Sequence, residues 1–155
     1  MNSTALIALL ALSVYTNLPQ LGDPLPKEAK AEKIDGIQSS LMVDSGEILP
    51  AYDLLVGDVS YTICSDTHGI TFISPRGQFK TSEGIVVGST LTQVIAIAKT
   101  SPIKRMGWAY YLPLPSGWNA AFIASGDDPT IEPLPADAHV SFLFKSIWAK
   151  NTGSH

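Results

Sequence analysis

The residues with the clearest capacity for chemistry lie in one short segment, Cys64-Ser-Asp-Thr-His-Gly69. Asp66 and His68 stand two positions apart, directly after a run with the alternation of a strand. A carboxylate and an imidazole are ligand types that hold a divalent metal ion, which can activate a water molecule. Cys64 adds a thiol, and a thiol with a histidine and an acid has the composition of a nucleophilic site. The segment therefore raises a metal-dependent and a thiol-dependent hypothesis.

The motif Asp66-x-His68-Gly69 resembles the opening metal-ligand motif of calcineurin-like metallophosphoesterases. The resemblance implies a phosphoesterase in which Asp66 and His68 hold one of two metal ions. The rest of the chain departs from that family, because neither Gly-Asn-His nor His-x-His follows and His139 is the one other histidine before the terminal residue. A two-metal site needs more nitrogen and oxygen ligands. We interpret the segment as a hairpin turn, in which Asp66 bonds local backbone and Gly69 supplies a positive φ.

The remaining catalytic patterns are weaker. Cys64 lies within a strand pattern, with no helix N-terminus after it to lower its pKa, so we expect a small buried hydrophobe. The sequence has no Gly-x-Ser-x-Gly motif for a serine nucleophile and no Gly-Lys-Ser or Gly-Lys-Thr for a phosphate loop. We therefore predict no catalytic residue, no metal site and no cofactor. A metal-dependent phosphoesterase that uses Asp66 and His68 stays as the alternative.

The elements that must position these residues are mostly strands. Two hairpins and a last strand are predicted from runs of period two, at residues 59–73, 108–123 and 139–144. One helix is predicted over about 90–100, because Thr90 and Gln93 have the spacing of a capping box. Its apolar face is expected to carry Leu91, Val94, Ile95 and Ala98. Mostly antiparallel strands packed by this one helix predict an α+β domain.

Length and composition limit the chain to one small domain. Its 155 residues and 16.5 kDa allow a single hydrophobic core. The net charge of −4 argues against the broad basic surface of a nucleic-acid binder, so we expect no nucleic-acid partner. One cysteine excludes an internal disulfide framework and a cysteine-rich zinc module.

An apolar run at residues 5–14 predicts where the protein is located. It is too short to cross a hydrocarbon layer about 30 Å thick, and it fits the apolar region of a secretory signal peptide. We predict a signal peptide over 1–16, no transmembrane span and a periplasmic or secreted location, with a buried N-terminal helix as the alternative. Prolines and charges then predict a linker over 17–33, a single domain over 34–150 and a disordered tail over 151–155.

The aromatic side chains around the second hairpin are the candidates for binding. Two prolines stiffen its tip, 113–117, and aromatic residues beside such a tip are typical of protein-binding hot spots. Core packing of the same rings is the alternative. The acidic loop over 125–138 could steer a partner, plug a cationic cleft or bind Ca²⁺ weakly, or be a solvated loop. The predicted partner-binding residues are Trp108, Tyr110, Tyr111, Ser116, Gly117, Trp118, Asp127 and Asp128.

The segment Thr81-Ser-Glu-Gly-Ile-Val-Val-Gly-Ser-Thr90 resembles the pattern T-x-x-G-I-x-V-G-S-T of small exported bacterial proteins of unassigned function. A leader, one small α+β domain and no catalytic set are also similar to the profile of periplasmic immunity proteins. The second resemblance implies an inhibitor or immunity protein whose partner is a secreted toxin or hydrolase. A structural envelope protein is a further alternative.

Overall fold

Strands make up most of the regular secondary structure, as a computed structural model shows. The structure describes residues 17–124, 129–130 and 133–149. Within these ranges the elements in chain order are β1 Lys30–Ala31, β2 Lys33–Ile34, β3 Ile37–Gln38, β4 Ser40–Asp44, β5 Glu47–Pro50, β6 Tyr52–Val56, β7 Val59–Asp66, β8 Gly69–Pro75, α1 Leu91–Ala98, β9 Ile103–Arg105, β10 Ala109–Pro113, β11 Asn119–Phe122 and β12 Phe142–Ser146.

Eight strands form one antiparallel sheet in the order β1-β6-β7-β8-β12-β11-β10-β9. Two meanders, β6 to β8 and β9 to β12, are joined where β12 pairs with β8 at Lys145 and Ile73. Two small hairpins, β2–β3 and β4–β5, lie outside this sheet. The prediction of a mostly antiparallel sheet packed by one helix is confirmed. The α+β label is confirmed only in part, because the described chain is largely β with one short helix.

Both faces of the sheet are covered, because successive residues in its central strands are both apolar and point to opposite sides. Ile73, Leu112 and Leu143 belong to a helix-side core, which also contains Val94 of the helix. Their strand neighbours, Phe72, Tyr111 and Phe144, belong to an aromatic core on the other side. The sheet therefore separates two clusters, and the β4–β5 hairpin packs on the aromatic one through Val43 and its neighbours.

The helix begins as the sequence predicts. The Thr90 hydroxyl accepts a hydrogen bond from the Gln93 N–H, and the Gln93 side chain accepts one from the Thr90 N–H, so the capping box is formed. The helix ends at Ala98, earlier than expected, because Lys99 adopts a left-handed conformation with φ of 56°. The expected apolar face is wrong at Ile95, which is 38% exposed. A two-turn helix presents a narrow stripe to the sheet, and this position lies outside it.

The predicted hairpins both form. β7 and β8 pair around Asp66 and Gly69, and β10 pairs with β11 across the proline-containing tip. The last strand begins at Phe142, three residues later than expected. His139, expected within it, instead makes an isolated bridge to Thr90 at the start of the helix.

The N-terminal part of the described chain packs on the helix-side core. Leu18, Leu21 and Leu25 contact that core. The Gly22 N–H donates a hydrogen bond to the Ile70 carbonyl, and the Ile70 N–H donates one to the Asp23 carbonyl, both at 2.8 Å. The segment 17–33, expected to be a linker, is thus part of the folded domain, which begins before residue 34. Gly69 permits the close approach, because a Cβ there would lie 2.6 Å from the Gly22 carbonyl oxygen.

Two predicted segments, the signal peptide over 1–16 and the tail over 151–155, lie outside the described residues. Among the residues that the structure describes, no helix has the length and hydropathy that a membrane span requires.

Candidate functional site

The four aromatic residues predicted to contact a partner are buried. Trp108 is 7% exposed, Tyr110 9%, Tyr111 1% and Trp118 6%, so the prediction that they form an exposed surface is wrong. The reason is the sheet itself: both faces of the hairpin β10–β11 are covered, which places alternate rings in the two cores.

The rest of the predicted surface is divided. Ser116 is half-buried and its hydroxyl donates a hydrogen bond to Glu83, while Gly117 is exposed. Gly117 and Trp118 line a small cavity of about 270 Å³, where the Lys145 ammonium lies over the Trp118 ring. Asp127 and Asp128 lie outside the described residues.

Asp66 and His68 form the expected turn. Both are exposed, and the Asp66 carboxylate accepts a hydrogen bond of 2.7 Å from the His68 backbone N–H. His139 is also exposed, and it lies beside Thr90. Across the described ranges, no three histidine, cysteine or acidic side chains come together as a metal site would require. The geometry here supports a local turn and provides no support for the phosphoesterase alternative.

Cys64 is buried in the aromatic core with no measurable exposure. Burial, together with a smaller contribution from the negative charge of Glu32, raises the pKa of its thiol to about 12. Since the thiolate is the nucleophilic form, this thiol is not poised for nucleophilic chemistry at neutral pH. Cys64 is a small core residue, as its place in the strand pattern predicts.

Aromatic rings contact one another at the centre of the aromatic core, namely those of Phe72, Trp108, Tyr111, Phe142, Phe144 and Trp148. The ring centroids of Trp108 and Phe144 lie 5.0 Å apart, and those of Trp108 and Trp148 lie 5.2 Å apart. Both pairs meet edge to face, an arrangement that places positive ring edges against negative ring faces. The cluster forms a rigid floor on this side of the sheet.

The β4–β5 hairpin is fastened over this floor by polar contacts. The indole N–H groups of Trp108 and Trp148 donate to the carbonyl oxygens of Met42 and Val43, at 3.0 and 3.1 Å. Arg105 donates to both carboxylate oxygens of Asp44, with its Nε 2.8 Å from Oδ1. The hydrogen bonds from Arg105 lower the pKa of Asp44, and its burial opposes them. These four contacts fix the hairpin at the sheet.

A cleft of about 560 Å³ opens between the strand β4 and the sheet. Its floor contains the rings of Phe72, Trp108 and Phe142, which belong to or pack on the aromatic core. This volume lies within the range of binding pockets in proteins, which are mostly apolar with a few polar groups. Polar side chains also line this cleft, namely Glu32, Ser39, Ser40, Thr62 and Ser74.

Three large aliphatic side chains at the mouth of the cleft are exposed. Ile34 is 65% exposed, Ile123 52% and Met42 46%, and all three line the same cleft. Ile34 and Met42 lie eight residues apart on two small hairpins, and Ile123 comes from a distant part of the chain. Single exposed aliphatic residues are ordinary on protein surfaces, whereas exposed apolar residues grouped around an apolar cavity indicate a contact surface.

An ionic cluster lies at the same cleft. The guanidinium of Arg76 contacts the carboxylates of Glu32 and Asp53, and its Nε donates a hydrogen bond of 2.7 Å to the Thr62 hydroxyl. Two carboxylates therefore share one cation. Glu32 and Thr62 line the cleft, whereas Asp53 and Arg76 do not.

Sequence reasoning did not find this cleft. Its floor includes Trp108, which was predicted to bind as an exposed anchor, but its walls come from residues far apart in the chain. The one local indication is a pair of apolar residues facing each other in each small hairpin, Ile34 with Ile37 and Met42 with Ile48, which are all exposed.

Comparisons of this chain with family models, with curated proteins and with solved structures find no match.

Proposed function

We propose that the chain is a binding protein that acts by contact with a partner protein, and that the cleft beside β4 with its apolar mouth is the contact surface. The observation that carries the proposal is the grouping of Ile34, Met42 and Ile123, all exposed, around one cleft with an aromatic floor. An apolar side chain of a partner would fill the cleft, and the surrounding protein would cover the mouth.

A protein accounts for this surface better than a small ligand alone. A molecule that filled the 560 Å³ would contact the inner faces of the walls and leave much of the mouth exposed. The surface of a protein partner extends past its inserted side chain, so it would bury the exposed parts of Ile34 and Ile123 as well. Contact with a protein is therefore the function that we favour.

The apolar run at 5–14 supports a site of action outside the cytoplasm, in the periplasm or beyond the cell. An inhibitor or immunity protein that covers a secreted toxin or hydrolase is the most specific form of the proposal. It rests on the leader, on the small domain and on the exposed cleft together. In this form the chain blocks its partner by occupying surface, and no residue of the chain takes part in a reaction.

The test compares two methionines that are both exposed. Met42→Lys places a charge at the mouth of the cleft, and Met106→Lys places one at a 62% exposed position that does not line it. The chain is first recovered from the envelope of its own cells, where its mass should lack about the first 16 residues if the run is a signal peptide. Each purified variant is then incubated with the envelope extract, and the amount of each protein that it retains is quantified by mass spectrometry.

We expect one protein to be retained by the original chain and by Met106→Lys, and to be retained at least about tenfold less by Met42→Lys. Thermal unfolding of both variants checks that they fold. A partner retained equally by all three chains would contradict the proposed surface. Absence of any specifically retained protein would contradict the function itself.

A further inference from the structure

Two carboxylates beside the cleft share one guanidinium within the described residues. All three guanidinium nitrogens of Arg76 have partners, namely Glu32, Asp53 and the Thr62 hydroxyl. Lys30 stands opposite Asp53 in the pairing of β1 and β6, so a second positive charge lies on the Asp53 side of the cluster. Of the residues that line the cleft, Glu32 is the one charged side chain, so a negative charge is accessible from inside the cleft.

A second polar group points to an occupant of the same place. The Ser39 hydroxyl oxygen is buried and has no hydrogen-bond partner among the described residues, and Ser39 lines the cleft together with Glu32. A buried hydroxyl without a partner costs free energy that a bound donor would recover. A carboxylate accepts hydrogen bonds at both oxygens, so Glu32 can accept another donor beside Arg76.

We propose, resting on the function above, that the partner inserts a segment in which a large apolar side chain is adjacent to a basic one. The apolar side chain lies on the rings of Phe72, Trp108 and Phe142, and the lysine or arginine donates hydrogen bonds to Glu32 and Ser39. The stem of such a basic side chain is itself apolar and suits the walls of the cleft.

The net charge of the chain favours the same class of partner. At −4 the chain attracts a basic protein and repels a second copy of itself. A carboxylate that is partly removed from water also discriminates strongly against an acidic group placed beside it. The cleft therefore selects for charge as well as for apolar volume.

Short synthetic peptides test this inference with the full chain. Each peptide carries a central leucine or phenylalanine flanked by lysine, arginine, glutamine or glutamate, and its affinity is measured by titration calorimetry. Glu32→Gln and Asp53→Asn form a matched pair, because each removes one negative charge and one partner of Arg76, but only Glu32 lines the cleft.

We expect the basic peptides to bind at least about tenfold more tightly than the glutamate peptides. Glu32→Gln should reduce this ratio to near one, and Asp53→Asn should reduce it clearly less, because Glu32 still lines the cleft and accepts the hydrogen bond. Met42→Lys should weaken every peptide.

Three results would overturn the inference. The first is binding that is independent of peptide charge yet lost in Met42→Lys, which would leave the proposed function standing. The second is no binding of any peptide, in which case the extract experiment alone decides the proposed function. The third is self-association of the chain that Met42→Lys abolishes, which would make a second copy the occupant of the cleft.

Discussion

Trp108 contributes to the proposed surface from beneath it. Its indole N–H donates to the Met42 carbonyl at 3.0 Å, and its ring centroid lies 5.0 Å from that of Phe144. Trp108 also lines the cleft, although its side chain is only 7% exposed. One side chain thus supports the wall of the site and forms part of its floor. A rigid floor lowers the entropy that is lost when a partner side chain is inserted.

Burial also decides the chemistry of Cys64. Because its pKa is raised to about 12, less than about one thiol in a thousand is ionised at pH 8. We expect a disulfide reagent at pH 8 to modify the folded chain at least about a hundredfold more slowly than the chain unfolded in guanidinium chloride. Absorbance of the released thiolate gives both rates, and Cys64→Ala supplies the blank. Rates that agree within tenfold would show that the thiol is accessible.

The same shift makes stability depend on alkaline pH. The folded chain holds the thiol proton more tightly than the unfolded chain, whose thiol has the ordinary pKa of 9.0. This contribution to stability is complete below pH 9 and is lost as the pH rises toward 12. Urea unfolding should therefore show a smaller alkaline loss of stability in Cys64→Ala.

At the scale of elements, the β4–β5 hairpin is a wall that the sheet holds in position. It pairs with no strand of the large sheet, so its place depends on the packing of Val43, on two indole hydrogen bonds and on the pair of Asp44 and Arg105. That pair is bidentate, and the side chain of Asp44 is only 16% exposed. Such a geometry makes the ion pair worth more than most surface pairs.

Arg105→Ala tests this attachment. We expect it to increase amide hydrogen exchange in β4 and β5 about fivefold, corresponding to roughly 1 kcal/mol, while β7 and β8 keep their protection. Lys104→Ala is the matched control, because it removes a cation from the same strand at a residue whose ammonium lies near the Tyr110 ring, away from the hairpin. Exchange is measured by mass spectrometry of peptic fragments.

Acidic pH should also weaken the attachment of the β4–β5 hairpin. The pKa of Asp44 is lowered in the folded chain, so the stability that it contributes is present above its ordinary value of 3.8 and is lost as the pH falls below that value. Equal exchange of β4 and β5 in Arg105→Ala, in Lys104→Ala and in the original chain would mean that the indole contacts and the packing of Val43 hold the hairpin without the ion pair.

At the scale of the molecule, local patterns predict the elements. Runs of β-branched and aromatic residues over 59–73 and 108–123 predict the two central hairpins, and the structure has both. Successive residues in these strands are buried, because both faces of the sheet are covered. Thr90 and Gln93 predict the start of the helix, because a capping box is complete within four residues. These predictions depend only on residues close together in the sequence, so they can be made without knowing the fold.

The candidate site could not be predicted in this way. Ile34 and Met42 lie on two small hairpins outside the main sheet and Ile123 follows β11, so no short-range pattern indicates that they line one cleft. Leu18, Leu21 and Leu25 lie among prolines, and a proline-rich composition favours a linker. In the structure these leucines pack against the helix-side core. Similarly, strand aromatics suit a core and a binding surface equally, and burial alone distinguishes them.

The two sides of the sheet differ in how completely they are covered. The helix and the segment from residue 17 pack on one side, whereas the β4–β5 hairpin leaves the cleft open on the other. The central claim is that the open side meets the partner. Site-specific photocrosslinking tests it most directly, with a photoreactive phenylalanine analogue placed in turn at Ile34, at Pro115 of the exposed hairpin tip and at Ile95 on the helix.

After illumination in the envelope extract, we expect a crosslinked protein from position 34 and none above background from positions 95 or 115. Met42→Lys in the same chain should remove the crosslink, because it disrupts the mouth of the cleft and leaves the photoreactive residue at position 34 unchanged. A crosslink from 115 or 95 with none from 34 would contradict the account and place the contact surface elsewhere on the molecule.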